Sequence, residues 1–186
     1  MIKILKYGEV PNAEIFARAE ASVNVEEIVS DIIEQVQSRG DAALLEYDEK
    51  FDGAKLSTLL VGAEEIEEAF ESVGPEFTEV LKKAAANIRD FHSRQIRTGF
   101  SFEKEDGIIL GQKVMPVEKA GLYVPGGTAA YPSTVLMDSI PAKLAGVSEL
   151  VMVTPPGKDG KISPAILAAA KVAGVDKIFK VGGAQA

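Results

Sequence analysis

The apolar residues after Asn24 recur at the spacing of an amphipathic helix. Asn24 and Glu27 form a capping-box pair, and Gly40 is suited to a helix C-terminus. The apolar positions between them are Val25, Ile28, Val29, Ile32, Ile33 and Val36. This spacing of three and four residues predicts one helix with a single apolar face. Asp41 can cap a second helix that ends near Asp52-Gly53.

Two more helices are predicted before residue 99. One covers 63–72, and the other begins at Gly74-Pro75, since proline is favoured in a first helical turn. The predicted apolar stripe of the second helix is Phe77, Val80, Leu81, Ala84, Ile88 and Phe91. The apolar run from Thr58 to Val61 precedes both helices and could be a strand or an extended linker.

After residue 99 the period of the pattern changes from that of a helix to that of a strand. Phe100 and Phe102 alternate with polar residues, and Asp106-Gly107 is a strong hairpin-turn signal. We therefore predict an antiparallel β-hairpin whose second strand runs from Ile108 to Val117, with Pro116 indicating that this strand ends there or lies at an edge.

From residue 120 onward, short apolar runs alternate with helical segments. The predicted strands are 121–124, 150–153 and 178–181, and the predicted helices are 133–145 and 163–173. A β-α-β-α-β order with short loops predicts a parallel sheet with right-handed crossovers. The fold class is therefore α/β.

The charge distribution separates these two parts of the 186-residue chain. Residues 1–119 carry 14 basic and 24 acidic side chains, whereas residues 120–186 carry 6 basic and 4 acidic ones. We place a domain boundary there. Residues 1–119 form an acidic helical region with a β-hairpin, and residues 120–186 form a Rossmann-like βαβαβ unit that we expect to be truncated at its C-terminal end.

Composition excludes several classes of function. The net charge of −8 argues against a nucleic-acid partner. The chain has no run of 18 apolar residues and no secretory leader, so we expect a cytoplasmic protein without a membrane span. Cysteine is absent and His92 is the only histidine, which argues against a zinc site built from this chain alone. We interpret His92 as a partly exposed imidazole at a helix C-terminus rather than a general base.

Two glycine-rich turns are the best candidates for a ligand site. They are 125–128, after the first predicted strand of the sheet, and 182–185, after the third. Ligands of open parallel sheets bind at the carboxyl ends of the strands. Alternatively, the glycines only make tight turns, since neither turn is a dinucleotide fingerprint or a P-loop. The second strand ends in Val153-Thr154-Pro155-Pro156 and so lacks the acidic residue that usually binds the ribose.

Two side chains at these turns are candidate ligand contacts. Tyr123 precedes the first turn, and its ring could pack in the core or face a ligand at the sheet edge. Gln185 follows Gly182-Gly183 in a loop where a long amide has no obvious core role, so it could bond a ligand or a helix start. We expect the two residues on neighbouring strands, with the turn glycines keeping one crevice open.

Several stretches of the chain closely resemble histidinol dehydrogenases. In the second part they are Gly121–Met137, Ile140–Val147, Val151–Pro156 and Val181–Ala186, which include Tyr-Val-Pro-Gly-Gly and Val-Gly-Gly-Ala-Gln-Ala blocks. In the first part they are Arg39–Leu44, Tyr47–Gly53 and Ile88–His92 with Gln95. The resemblance covers essentially the whole chain.

The resemblance implies an enzyme that oxidises L-histidinol to L-histidine through histidinaldehyde with two NAD, at the end of histidine biosynthesis. The family's enzymes are zinc-dependent homodimers with incomplete Rossmann-like domains. Tyr123 and Gln185 match two of the family's NAD-contacting positions. Family members are longer, and their zinc ligands and acid–base residues follow the position of Ala186. The resemblance therefore implies no catalytic and no metal-binding residue in this chain, which we interpret as an N-terminal part that is inactive by itself.

Two other functions remain open from the sequence. The chain could be a non-catalytic nucleotide-binding or dimerisation module. It could also belong to a related NAD-dependent alcohol dehydrogenase, since the family's substrate contacts follow the last residue of this chain.

Overall fold

The computed structural model describes residues 4–17, 25–126 and 130–186. Within these residues the helices are α1 Asn12–Ile15, α2 Val25–Arg39, α3 Asp41–Tyr47, α4 Ala63–Ser72, α5 Gly74–Ser93, α6 Pro132–Ala145 and α7 Pro164–Ala173. The strands are β1 Phe100–Glu103, β2 Ile109–Gln112, β3 Lys119–Tyr123, β4 Glu149–Thr154 and β5 Lys177–Lys180. A π-helical turn, Asp48–Asp52, continues α3, and a 3-10 turn, Gly183–Gln185, follows β5.

The three predicted strands of the second part form one parallel sheet in the order β3-β4-β5. The predicted α/β class is confirmed. The apolar run 58–61 also joins this sheet, since it lies antiparallel beside β5 through a bridge between Leu60 and Phe179. The Val61 amide donates to the Ile178 carbonyl at 2.9 Å, and the Lys180 amide donates to the Leu59 carbonyl at 2.7 Å. The free edge of β5 is thereby covered.

One face of the parallel sheet carries the main core. Alternate residues of β4, such as Leu150 and Met152, are fully buried there against α6 and α7. Helices α4 and α5 pack on α7 and α6 and contribute Ala69 and Leu81 to the same core. Residues from both sides of position 119 therefore share one core. The domain boundary at 119/120 stays a prediction.

Helix α2 has the predicted apolar face, but most of that face is exposed. The helix begins at Val25, and Asn24 of the predicted capping box lies outside the described residues. Of the predicted stripe, only Ile32 is buried, and Ile28 remains 52% exposed. Periodicity located the helix correctly, but it could not show that no element of the described chain covers most of that face.

Helices α3 and α5 differ from the prediction in detail. The N-cap of α3 is Gly40, at φ 57°, so Asp41 is the first helical residue and not the cap. In α5 the buried face includes Thr78 and Leu81, while Val80 is 60% exposed. The predicted stripe is correct for Leu81, and for Phe77, Ala84 and Ile88, which pack against the core. It was wrong for Val80 and for Phe91, which is 62% exposed, because these two lie outside the part of the helix surface that the core covers.

The predicted β-hairpin is confirmed, with a shorter second strand. Strands β1 and β2 pair antiparallel, with Phe100 opposite Gln112 and Glu103 opposite Ile109. The turn has positive φ at Asp106 (67°) and Gly107 (73°), the left-handed region that Asp and Gly tolerate. All eight residues of the two strands are exposed, so the hairpin presents its apolar side chains on the surface.

Candidate functional site

The carboxyl ends of β3, β4 and β5 bring three turns together. The parallel ladder continues one residue beyond the strands, because the Val124 amide donates to the Val153 carbonyl at 3.0 Å and the Val181 amide donates to the Thr154 carbonyl at 3.1 Å. The turn after each strand therefore starts at the same level of the sheet. This edge is the usual ligand-binding edge of an open parallel sheet.

Tyr123 is connected to the turn after β5 across the end of β4. Its phenolic oxygen accepts a hydrogen bond from the Gly183 backbone amide at 3.1 Å. The ring is 46% exposed, so a large part of it faces outward at the sheet edge. Strand β4 lies between β3 and β5, and the expectation that Tyr123 and Gln185 follow neighbouring strands was wrong. The two side chains are linked through the backbone of the 3-10 turn instead.

Gln185 is almost completely buried, with 4% of its surface exposed. Its side chain folds back over Gly183, where a Cβ would lie 2.5 Å from the Gln185 Oε1. The backbone φ of Gly183 is +61°, so only glycine fits this position without strain. The idea that a long amide has no core role in this loop was therefore wrong, since the amide fills space beneath the turn.

The glycines of the two turns serve close packing around Pro155. A Cβ at Gly126 would lie 2.8 Å from the Pro155 Cγ, and one at Gly182 would lie 2.5 Å from the Pro155 Cβ. Gly127 lies outside the described residues. Because Gly126 and Gly182 have no side chain, the three turns can approach each other closely. This is the structural role expected of glycines that make tight turns.

Asp48 is the ionisable group that sequence reasoning missed. It is fully buried at the start of the π-helical turn, and within the described part of the chain neither of its carboxylate oxygens has a partner at normal hydrogen-bond geometry. Burial, and then the charge of Asp52, raise the pKa of Asp48 to about 7, while the side-chain amide of Gln185 acts in the opposite direction. Burial also raises the pKa of Asp52. In the sequence, the only indication that Asp48 is buried is its position next to Tyr47, which lies on the inward side of α3.

Two cavities open beside these turns. One of about 330 Å³ lies along the less covered face of the sheet, and its lining includes Val153, Phe179 and Gln185. The other, of about 380 Å³, lies between Gly126 and the start of α7, where Lys161 and Ser163 line it. Both are large enough for part of a dinucleotide, and Pro155 lines the second of them.

His92 lies far along α5, in its last turn, as the sequence predicted. Its Nδ1 is 2.6 Å from the Gln95 Oε1, and its ring packs edge-on against Phe91 with centroids 5.2 Å apart. The imidazole borders a cavity between α5 and α6 that also contacts Pro141. Among the described residues, no three His, Cys, Asp or Glu side chains are grouped so that they could hold a metal ion. Likewise, none of the helices within those residues is long and apolar enough to cross a membrane.

A family model described as histidinol dehydrogenase matches residues 16–186. Curated relatives named histidinol dehydrogenase include one from Geobacillus kaustophilus, 57% identical over 85% of this chain and 37% of its own length. Another, from Clostridium acetobutylicum, is 44% identical over 100% of this chain and 44% of its own length. The chain thus spans about two fifths of the length of these relatives.

A solved structure shows the same arrangement of elements. The crystal structure of histidinol dehydrogenase from Elizabethkingia anophelis matches 95% of this chain with a TM-score of 0.85 and 36% sequence identity. The matched part is 42% of that chain. Sequence and structure therefore agree over nearly every residue of this chain.

Proposed function

Because the chain belongs to the histidinol dehydrogenase family, we propose that it forms the N-terminal part of an enzyme that oxidises L-histidinol to L-histidine. The reaction passes through histidinaldehyde, uses two NAD and completes histidine biosynthesis. The observation that supports this most directly is the family match over residues 16–186, together with an identity of 57% to a relative of that name.

We further propose that this part contributes cofactor contacts and leaves the chemistry to residues outside it. In this proposal Tyr123 and Gln185 contact NAD, which accepts a hydride when it is bound. The half-exposed Tyr123 ring stands at the ligand-binding edge of the sheet, and Gln185 lines a cavity there. Strand β4 ends at Thr154 and is followed by Pro155-Pro156, so no acidic residue is available for the ribose at that position.

We also propose that the enzyme binds zinc and forms a homodimer. The residues described here include no cluster of three potential metal ligands, so the zinc ligands would come from the remaining part of the enzyme. The exposed apolar side chains of α2 and of the hairpin support packing against that part or against a second copy in a homodimer. We propose that the enzyme is cytoplasmic and binds neither nucleic acid nor membranes.

The experiment is a product assay on the full-length enzyme that contains this chain. With zinc, NAD and L-histidinol, we expect two NADH for each L-histidinol consumed and L-histidine as the product. NADH formation with a different alcohol only would identify a related dehydrogenase, and no NADH with any alcohol would favour a non-catalytic module. Either result contradicts the proposal.

The 186-residue chain alone is the matched control in this assay. We expect no NADH from it, with or without zinc, because the described residues include no group of three side chains that could hold the metal ion. Turnover by the purified chain, free of host enzyme, would show that the catalytic groups are in this part after all.

A further inference from the structure

Two buried polar side chains without partners meet beneath the turn that follows β5. Among the described residues, neither carboxylate oxygen of the fully buried Asp48 has a partner at normal hydrogen-bond geometry, and the same holds for the amide oxygen and nitrogen of the buried Gln185. A side-chain hydrogen bond from Gln185 nevertheless lowers the pKa of Asp48, against the larger effect of burial, so the two groups lie close to each other without ideal geometry. A carboxylate accepts hydrogen bonds and an amide NH₂ donates two, so each group is the natural partner of the other. Buried polar groups rarely stay unpaired.

We propose that Asp48 is a positioning residue whose carboxylate accepts the side-chain amide of Gln185 and so fixes the 3-10 turn Gly183–Gln185 for cofactor binding. This inference rests on the proposed contact between Gln185 and NAD. In this arrangement one N–H of the amide goes to Asp48, and the amide oxygen and second N–H have no other protein partner among the described residues.

The 3-10 turn Gly183–Gln185 also contacts Tyr123, the second candidate NAD contact. The Gly183 amide donates to the Tyr123 phenolic oxygen at 3.1 Å, and Gly183 lies beneath the folded-back amide of Gln185. With the proposed bond from Gln185 to Asp48, these contacts connect the π-helical turn after α3 to Tyr123 at the end of β3. The turn also packs against α2, which closes it from the other side.

The protonation state of Asp48 sets the strength of the hydrogen bond that it accepts from the Gln185 amide. Among the described titratable groups, Asp52 is the one whose charge acts on Asp48, and it lies in the same π-helical turn. The turn after β5 contributes the uncharged Gln185 amide, while α2 and α3 contribute Ile32, Val36 and Ala43 to the apolar cluster around Tyr47. The ionised carboxylate accepts the amide more strongly than the protonated carboxyl group does, so cofactor binding should weaken as Asp48 takes up a proton near pH 7.

The test is steady-state kinetics on the full-length, zinc-loaded enzyme with the Asp48→Asn variant. We expect the KM for NAD to rise up to about tenfold at pH 8, because asparagine accepts the Gln185 amide only through a neutral oxygen and the contribution of the charge is lost. The KM for L-histidinol and the zinc content should stay unchanged. We also expect the wild-type KM for NAD to rise as the pH falls through about 7, and this rise to be absent in the variant. Adding Asp48→Asn to Gln185→Ala should have no further effect.

Two more variants separate the possible failures. Glu49→Gln removes the same charge from an exposed neighbour and should leave the KM for NAD and its pH dependence unchanged. Asp52→Asn removes the repelling charge and should shift the pH dependence to lower pH, and it tests the inference even if Asp48→Asn fails to fold.

If Gln185→Ala raises the KM for NAD and Asp48→Asn does not, the positioning role is wrong and the proposed function stands. If Gln185→Ala itself leaves NAD kinetics unchanged, the proposed cofactor contact is wrong, and the inference falls with it. An Asp52→Asn enzyme with an unshifted pH dependence contradicts the role of the Asp48 charge.

Discussion

Replacing Asp48 by asparagine should stabilise the folded chain at neutral and alkaline pH. Asp48 is fully buried, and the uncharged side-chain amide of Gln185 offsets only part of the hydration that its carboxylate has lost. In the unfolded chain the same carboxylate is hydrated. Folding at high pH therefore requires the burial of a charge, and the isosteric Asp48→Asn substitution removes that requirement.

The pKa of Asp48 gives the size and the sign of this effect. The pKa is about 7 in the folded protein against an ordinary value of 3.8, and each unit of pKa corresponds to about 1.4 kcal/mol, so the cost of ionising Asp48 is about 4 kcal/mol. The folded state binds the proton more tightly than the unfolded state. The free energy of unfolding should therefore fall as the pH rises from about 4 to about 7 and level off above that.

Urea unfolding followed by circular dichroism at several pH values between 5 and 8 measures this difference. At pH 8 Asp48→Asn should be more stable than the wild type by up to about 4 kcal/mol, and the gap should narrow by about 1 kcal/mol or more for each pH unit toward pH 5. Glu49→Gln changes the net charge equally at an exposed position and should show no such trend. A gap between Asp48→Asn and wild type that does not vary with pH would refute the reasoning.

Other features of the fold make further predictions. Gly182→Ala should cost about 2 kcal/mol of unfolding free energy because its Cβ would meet Pro155, whereas Gly121→Ala, with no atom within 4 Å of its Cβ, should be neutral or slightly stabilising in the same urea assay. Lys180→Met should lower the free energy of unfolding by about 3 kcal/mol, since the mostly buried Lys180 ammonium pairs with an α4 carboxylate at 2.7 Å. Lys177 belongs to an exposed ion pair, so Lys177→Met should lower it by less than about 1 kcal/mol, and thermal unfolding measures both changes. The exposed apolar faces of α2 and the hairpin should make the chain self-associate, and a strictly monomeric sedimentation profile at high concentration would contradict that.

Elements with a strong local signal were predictable from the sequence. The helix over Gly74–Ser93 follows from Gly74-Pro75 and its periodic apolar residues, and the hairpin follows from Asp106-Gly107. The parallel sheet follows from the alternation of short apolar runs and helices after residue 120. In each case a few neighbouring residues determine the backbone conformation.

What the sequence did not show depends on contacts between distant segments. The run 58–61 is a pairing partner of β5 because a free edge happens to lie beside it, more than a hundred residues away. Asp48 looked like one acidic residue among many, and only its burial next to Gln185 makes it unusual. The separation of Tyr123 and Gln185 by β4 likewise depends on the strand order, which no local pattern encodes.

The central claim, that this chain supplies NAD contacts to a histidinol dehydrogenase, is tested most directly by the kinetics of Tyr123→Ala and Gln185→Ala in the full-length enzyme. Each variant should raise the KM for NAD by about tenfold or more and leave the KM for L-histidinol nearly unchanged, because each removes a cofactor contact only. Tyr7→Ala, an equal change at an exposed position far along the chain, should alter neither constant. Unchanged NAD kinetics in both site variants, with the fold intact, would contradict the account.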